Sequence, residues 1–216
     1  MKISAVLFDL DGTLRDTRDT IYTAVKHAVK EHSGQEVSNE DLADYMHHHS
    51  HVHQRFASHV SLAEFERVFH AKLYEMLPSV ELYQHAVETI VQLHKAGQKL
   101  AIISSAKPAE IRQFLERAGI AQYFDGIAGD DGVLARKPSP EPVLAAIDQL
   151  GVAVGECVMV GDMRVDMQAA AAAGVPVKVG ITHGFEDADL LKAAGADYII
   201  DSLAELPAVI DNLVQA

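Results

Sequence analysis

Six short apolar runs, most of them separated by helical patterns, constrain the fold of this chain more than any other feature. They are ISAVLF (3–8), KLAIIS (99–104), GIAG (126–129), CVMVG (157–161), PVKVG (176–180) and DYII (197–200). None alternates strictly between apolar and polar, the pattern of strands covered on both faces in a parallel sheet. Helical periodicity runs over 83–96, 108–118, 140–150 and 164–173, and a glycine follows each stretch: Gly97, Gly119, Gly151 and Gly174. Strand and helix in this alternation predict an α/β fold, a doubly wound parallel sheet. With 216 residues the chain is long enough to bury a full core.

One stretch breaks the rhythm. From about 15 to 81 there are helical patterns at 19–32, 39–48 and 61–76, and no convincing strand. A parallel crossover needs only about a dozen residues, so this segment reads as an inserted α-helical domain. The predicted division is a core of 1–14 with 82–216 and an insert of 15–81.

Charge narrows the partners. Eighteen Lys and Arg face 31 Asp and Glu, a formal charge of −13. That field repels nucleic acid and anionic membranes, and neither is expected as a partner. No apolar stretch is long enough to span a bilayer. The start of the chain reaches a charge-bearing strand too early for a signal peptide. The single cysteine, Cys157, lies among apolar neighbours and excludes an internal disulfide. A cytoplasmic protein, monomer or homodimer, is expected, with Cys157 as a small buried hydrophobe rather than a nucleophile.

The ends of the apolar runs carry the chemistry. Asp9 and Asp11 follow the first run, and side chains at i and i+2 of an extended segment point the same way. In open α/β sheets ligands bind beyond the carboxyl ends of the strands, so both acids would face one crevice. Taken alone, Asp before Gly12 reads first as a turn. But Asp162 and Asp166 follow the CVMVG run in the same way, with i, i+4 spacing at a helix start. Helix capping accounts for one of these two acids. It does not account for carboxylates gathering at two strand ends, where they repel unless a cation compensates. Oxygen ligands of this kind favour Mg²⁺. Ser104 and Ser105 end the second run at a helix start, and Lys137 sits in the proline-bounded ARKPSPEP loop, donors suited to a phosphate.

Acid pair, hydroxyl, lysine and acid pair, in that order, resemble the four motifs of the haloacid dehalogenase superfamily of phosphohydrolases. Asp9 to Thr13 match its Asp-x-Asp-Gly-Thr, Ser104 its Ser/Thr, Lys137 and Pro138 its Lys-Pro, and Gly161, Asp162 and Asp166 its Gly-Asp-x-x-x-Asp. The resemblance covers the whole chain. It implies a Rossmann-like core, and it makes the insert a small helical cap similar to that of phosphoglycolate phosphatases. Asp9 would be the nucleophile, Asp11 the general acid and base, and Ser104, Ser105 and Lys137 the grip on the phosphoryl group. Mg²⁺ would be held by Asp9, the Asp11 carbonyl and Asp162, with Asp166 supporting. The substrate would be a small phosphorylated metabolite. In the dehalogenases themselves the place of Asp11 is not an aspartate, which argues for phosphate chemistry here. Phosphomutases of the β-phosphoglucomutase type share all four motifs and are the alternative; they usually carry a histidine where this chain has Ile21. Ser105 also departs from the subgroup, whose phosphatases often have Asn.

The insert adds MHHHSHVHQRF, with i, i+4 histidine pairs that suit a transition metal. No carboxylate or cysteine accompanies them in a known pattern. By the resemblance this loop faces the crevice, making His48, His49 and Arg55 candidates for substrate choice; a solvated helix face is the plainer reading. Arg15 and Arg18, where core meets insert, would either meet substrate or balance Asp16 and Asp19, and the second is the plainer reading.

Overall fold

Each of the six runs forms a strand in the computed structural model, which describes residues 1–43 and 49–215, with the backbone alone at 43, 49 and 50. The strands are β1 (Ala5–Phe8), β2 (Lys99–Ile103), β3 (Gly126–Ala128), β4 (Cys157–Gly161), β5 (Val177–Ile181) and β6 (Tyr198–Ile200). They form one parallel sheet in the order β3-β2-β1-β4-β5-β6. From β1 the chain builds outward to β2 and β3, then returns to β4 on the other side. The reversal opens a crevice beyond the ends of β1 and β4, where Phe8 lies level with Val160.

The chain divides into two compact units, Met1–Asp16 with Glu81–Ala216, and Thr17–Val80. Among the described residues the second unit is helical: α1 (Arg18–Ser33), α2 (Asn39–Ala43), α3 (His49–Phe56) and α4 (Leu62–Met76). α1 packs on α4. Ala24, Val25, Ala28 and Val29 supply the buried stripe of α1, and Phe65 and Phe69 that of α4. Gly34 closes α1 in the left-handed region, with its N–H 2.8 Å from the Lys30 carbonyl. Ser61 caps α4 by accepting from the Glu64 N–H.

In the first unit, α5 (Ala86–Lys95), α6 (Pro108–Arg117), α7 (Glu141–Leu150), α8 (Arg164–Ala173), α9 (Ala188–Ala193) and α10 (Leu206–Gln215) accompany the sheet. Val6 and Phe8 of β1 share a core with Ile90 of α5, Ile111 of α6 and Ile210 of α10. Ala5 and Leu7 point the other way, into a core with Val143 of α7 and Ala169 of α8. Burial on both faces is why these runs read as continuous apolar stretches. Each fully buried Leu or Phe contributes roughly 1.5–3 kcal/mol. No helix of the described residues is long and apolar enough to cross a membrane.

Candidate active site

The end of β1 sets Asp9. Its N–H still donates to the Val160 carbonyl at 2.9 Å, so the ladder holds the residue while its side chain leaves the sheet. The chain then winds tightly, with the N–H groups of Leu14 and Arg15 both reaching the Leu10 carbonyl. Gly12 makes that turn at φ +89°, where a Cβ would also press on the Asp162 carboxylate. The end of β4 sets Asp162, which is fully buried. Its two oxygens accept from the Thr13 hydroxyl and the Phe185 N–H, each at 2.8 Å. Asp166, in the first turn of α8, accepts from the Met163 N–H at 3.0 Å. Gly161 gives it room, since a Cβ there would collide with the Asp166 side chain.

Lys137 ties these parts together. Its buried ammonium lies 2.5 Å from Asp9 and 2.5 Å from Asp166, and it also donates to the Ile103 carbonyl at 3.2 Å. Burial disfavours the charged amine, but the Asp166 and Asp9 carboxylates outweigh it and hold Lys137 above its ordinary range. Asp9 is pushed up to about 7, chiefly by burial and then by Asp166, against the pull of Lys137. Asp162 is also well above the usual carboxylate range, through burial and the charges of Asp9 and Asp166. Asp9, Asp162 and Asp166 offer oxygens within 4.8 Å of one another. One buried ammonium cannot neutralise three ionised carboxylates, so the donor set fits a small hard cation such as Mg²⁺.

Ser104 directly follows β2 and is buried, with its hydroxyl accepting from the Ala106 N–H at 3.1 Å. Ser105 is exposed. Ser104, Ser105, Arg136 and Lys137 line one cleft of the core unit. Cys157 is buried, its thiol pushed up to about 11 by burial and then by Glu156.

A family model of haloacid dehalogenase-like hydrolases matches residues 6–179, a span that includes Asp9, Lys137, Asp162 and Asp166. This chain belongs to that family. The hydrolase is 30% identical over 220 residues to a phosphoglycolate phosphatase of Vibrio parahaemolyticus, covering 96% of each chain. It is 29% identical to pyrophosphatase PpaX of Bacillus velezensis, covering 95% of each. A haloacid dehalogenase-like hydrolase from Bacteroides fragilis, termed putative, superposes with a TM-score of 0.83 at 28% identity, covering 95% of this chain and 100% of that one.

Several residues around this site depart from the sequence expectations or were not among them. Arg15 pairs with Asp11 and not with Asp16: its Nε and Nη2 donate to the two Asp11 oxygens at 2.8 and 2.9 Å. The correction has a local cause, because the tight turn at 10–15 makes residues 11 and 15 bridge partners. Phe185 and Gly184 hold Asp162 through a backbone N–H and through the absence of a Cβ, so no side chain announces them. Glu186 accepts from the Arg164 N–H at 2.6 Å and from its Nε at 2.9 Å, anchoring the same loop to the start of α8. His183 stacks on Tyr83 at 3.7 Å and contacts the Thr13 carbonyl at 3.0 Å.

The residues expected to choose substrate lie in the helical unit. His48 falls outside the described residues, and His49 begins α3 with only its backbone described. Arg55 is exposed near the end of α3, its guanidinium 5.3 Å from the centre of the Phe56 ring. His53, from the same cluster, contacts the Val60 carbonyl at 2.7 Å and packs on Phe65, a structural role.

Proposed function

We propose that this hydrolase is a Mg²⁺-dependent phosphatase acting on a small phosphorylated metabolite through an aspartyl-phosphate on Asp9. The observation that carries the reading is the buried group of Asp9, Asp162 and Asp166 joined to Lys137 at the ends of two neighbouring strands. Asp9 and Asp162, with the Asp11 backbone carbonyl, would hold the cation. Asp166 already accepts from Lys137 and Met163, so its part is to orient Lys137 and the surrounding shell. A bound Mg²⁺ supplies charge neutralisation between the carboxylates and the phosphoryl oxygens.

Asp9 attacks phosphorus, and the bond from phosphorus to the leaving oxygen breaks as Asp11 gives that oxygen a proton. The ionised Asp11 then takes a proton from water, whose oxygen attacks phosphorus. This frees Asp9 and inorganic phosphate, so one ester and one water yield one alcohol and one phosphate. Two acids are needed because attack and proton transfer occur on opposite sides of one phosphorus. Lys137 and the Ser104 hydroxyl bind the phosphoryl oxygens, where compensation of charge matters most. The Thr17–Val80 unit acts as the cap and contributes to substrate choice.

The relatives named phosphoglycolate phosphatase and pyrophosphatase make phosphoglycolate and pyrophosphate the first compounds to try. The test is phosphate release from a panel of phosphorylated metabolites, with Mg²⁺ and with excess chelator. The expected result is release that needs Mg²⁺, favours one compound and disappears in Asp9→Asn. Release that survives in Asp9→Asn refutes the nucleophile assignment. Conversion of β-glucose-1-phosphate to glucose-6-phosphate with a bisphosphate activator, without net release, makes the protein a mutase.

A further inference from the structure

Arg15 is a buried cation with a particular geometry. Its side chain is only 4% exposed, and two of its nitrogens hold the Asp11 carboxylate: Nε donates to Oδ1 at 2.8 Å, and Nη2 donates to Oδ2 at 2.9 Å while lying 2.7 Å from Oδ1. The guanidinium carbon lies 4.9 Å from the centre of the Phe114 ring, itself buried in α6. The backbone is clasped as well: the Gly12 N–H donates to the Arg15 carbonyl at 2.9 Å, and Arg15 bridges to Leu82. A planar guanidinium set against an aromatic ring and forked onto a carboxylate leaves that carboxylate little rotational freedom.

We propose that Arg15 is the positioning residue for Asp11, fixing the orientation from which that carboxyl serves the leaving oxygen. The proposal rests on the reading of Asp11 as proton donor. Structural integrity alone does not call for a forked pair at this place, because the turn is already held by backbone bonds to Leu10 and by Gly12. The carboxylate that Arg15 fixes lies two residues from the nucleophile, where small displacements are costly to proton transfer.

The test compares two substrates of nearly the same shape, p-nitrophenyl phosphate and phenyl phosphate. The first has a leaving group that departs without help, and the second needs a proton. With the full chain and saturating Mg²⁺, kcat/KM reports the steps up to departure of the leaving group. Arg15→Lys keeps the charge but loses the fork and the stack. It is expected to lose about tenfold more on phenyl phosphate than on p-nitrophenyl phosphate. In an Asp11→Asn background the same substitution is expected to fall equally on both substrates. Phe114→Leu, which removes the ring beneath the guanidinium and leaves the pair intact, is expected to show the same bias, smaller.

A loss of equal size on both substrates in Arg15→Lys makes Arg15 a merely structural residue and overturns the proposal. So does a biased loss that persists in the Asp11→Asn background. If Asp11→Asn alone loses equally on both substrates, the proton-donor reading fails and the role of Arg15 fails with it. That outcome is distinguishable because it involves no change at Arg15.

Discussion

Asp9 sits where three forces disagree. Burial and Asp166 raise its pKa to about 7 from an ordinary value of 3.8, while Lys137 pulls the other way. Between those two values the folded protein holds a proton that the unfolded chain has released. Stability therefore falls as pH rises through that window, and the whole penalty is present above it. Asp9→Asn removes the charge, keeps the shape and leaves Lys137 paired with Asp166. With chelator at pH 8 the variant is expected to be more stable than the natural chain, by on the order of 1–4 kcal/mol, and at pH 4 the difference should vanish. Urea unfolding at the two pH values measures it. A variant no more stable at pH 8 would mean that the contact with Lys137 outweighs burial, reversing the sign.

The segment between β5 and α9 meets Asp162 through its backbone. A Cβ at Gly184 would fall inside the envelope of the Asp162 carboxylate, and the Phe185 N–H holds one of its oxygens. Gly184→Ala is expected to lower kcat/KM by about tenfold or more and to raise the Mg²⁺ concentration needed for half-maximal phosphate release. Gly155→Ala is the control, since nothing lies within 4 Å of its added carbon. An unchanged Mg²⁺ requirement in Gly184→Ala would show that the loop yields and does not fix Asp162. This contrast explains what could be read from the sequence. The strands were legible because sheets covered on both faces leave continuous apolar runs, as AVLF and CVMVG do. The helix at 83–96 was read three residues early, because His85 adopts a left-handed φ of 67° just before α5. α9 spans only six residues, too few for periodicity to register, and α10 follows directly on a 3-10 turn. The gathering of Asp9, Asp162 and Asp166 was legible because strand ends converge in any parallel sheet, and Lys137, well beyond the end of β3, through its proline-bounded loop. Gly184, Phe185 and the Arg15–Asp11 pair were not, because they depend on how loops close and not on residue type.

At the scale of the molecule, the site collects residues from distant parts of the chain, with Lys137 joined to Asp9 across 128 positions. A cation bound by Asp9 and Asp162 would add a link between β1 and β4 that exists only in the folded core. It would stabilise that core by mass action, about 2.7 kcal/mol at a hundredfold excess over its dissociation constant. The acidic group also gains most from it, in a chain already carrying a net charge of −13. The Thr17–Val80 unit contributes none of the three clustered acids, and its core is built on α1 and α4. Amide hydrogen exchange with Mg²⁺ and with chelator separates the two units. Added Mg²⁺ is expected to slow exchange in β1, β4 and the 182–187 loop, to leave α1 and α4 nearly unchanged, and to do neither in Asp162→Asn. Equal slowing across α1 and α4 would mean that the helical unit opens only when the core does, so that the cation's stabilisation is shared by the whole chain. No slowing at β1 and β4 would remove the cation from the acidic group, and with it the reason for burying three carboxylates beside a single lysine.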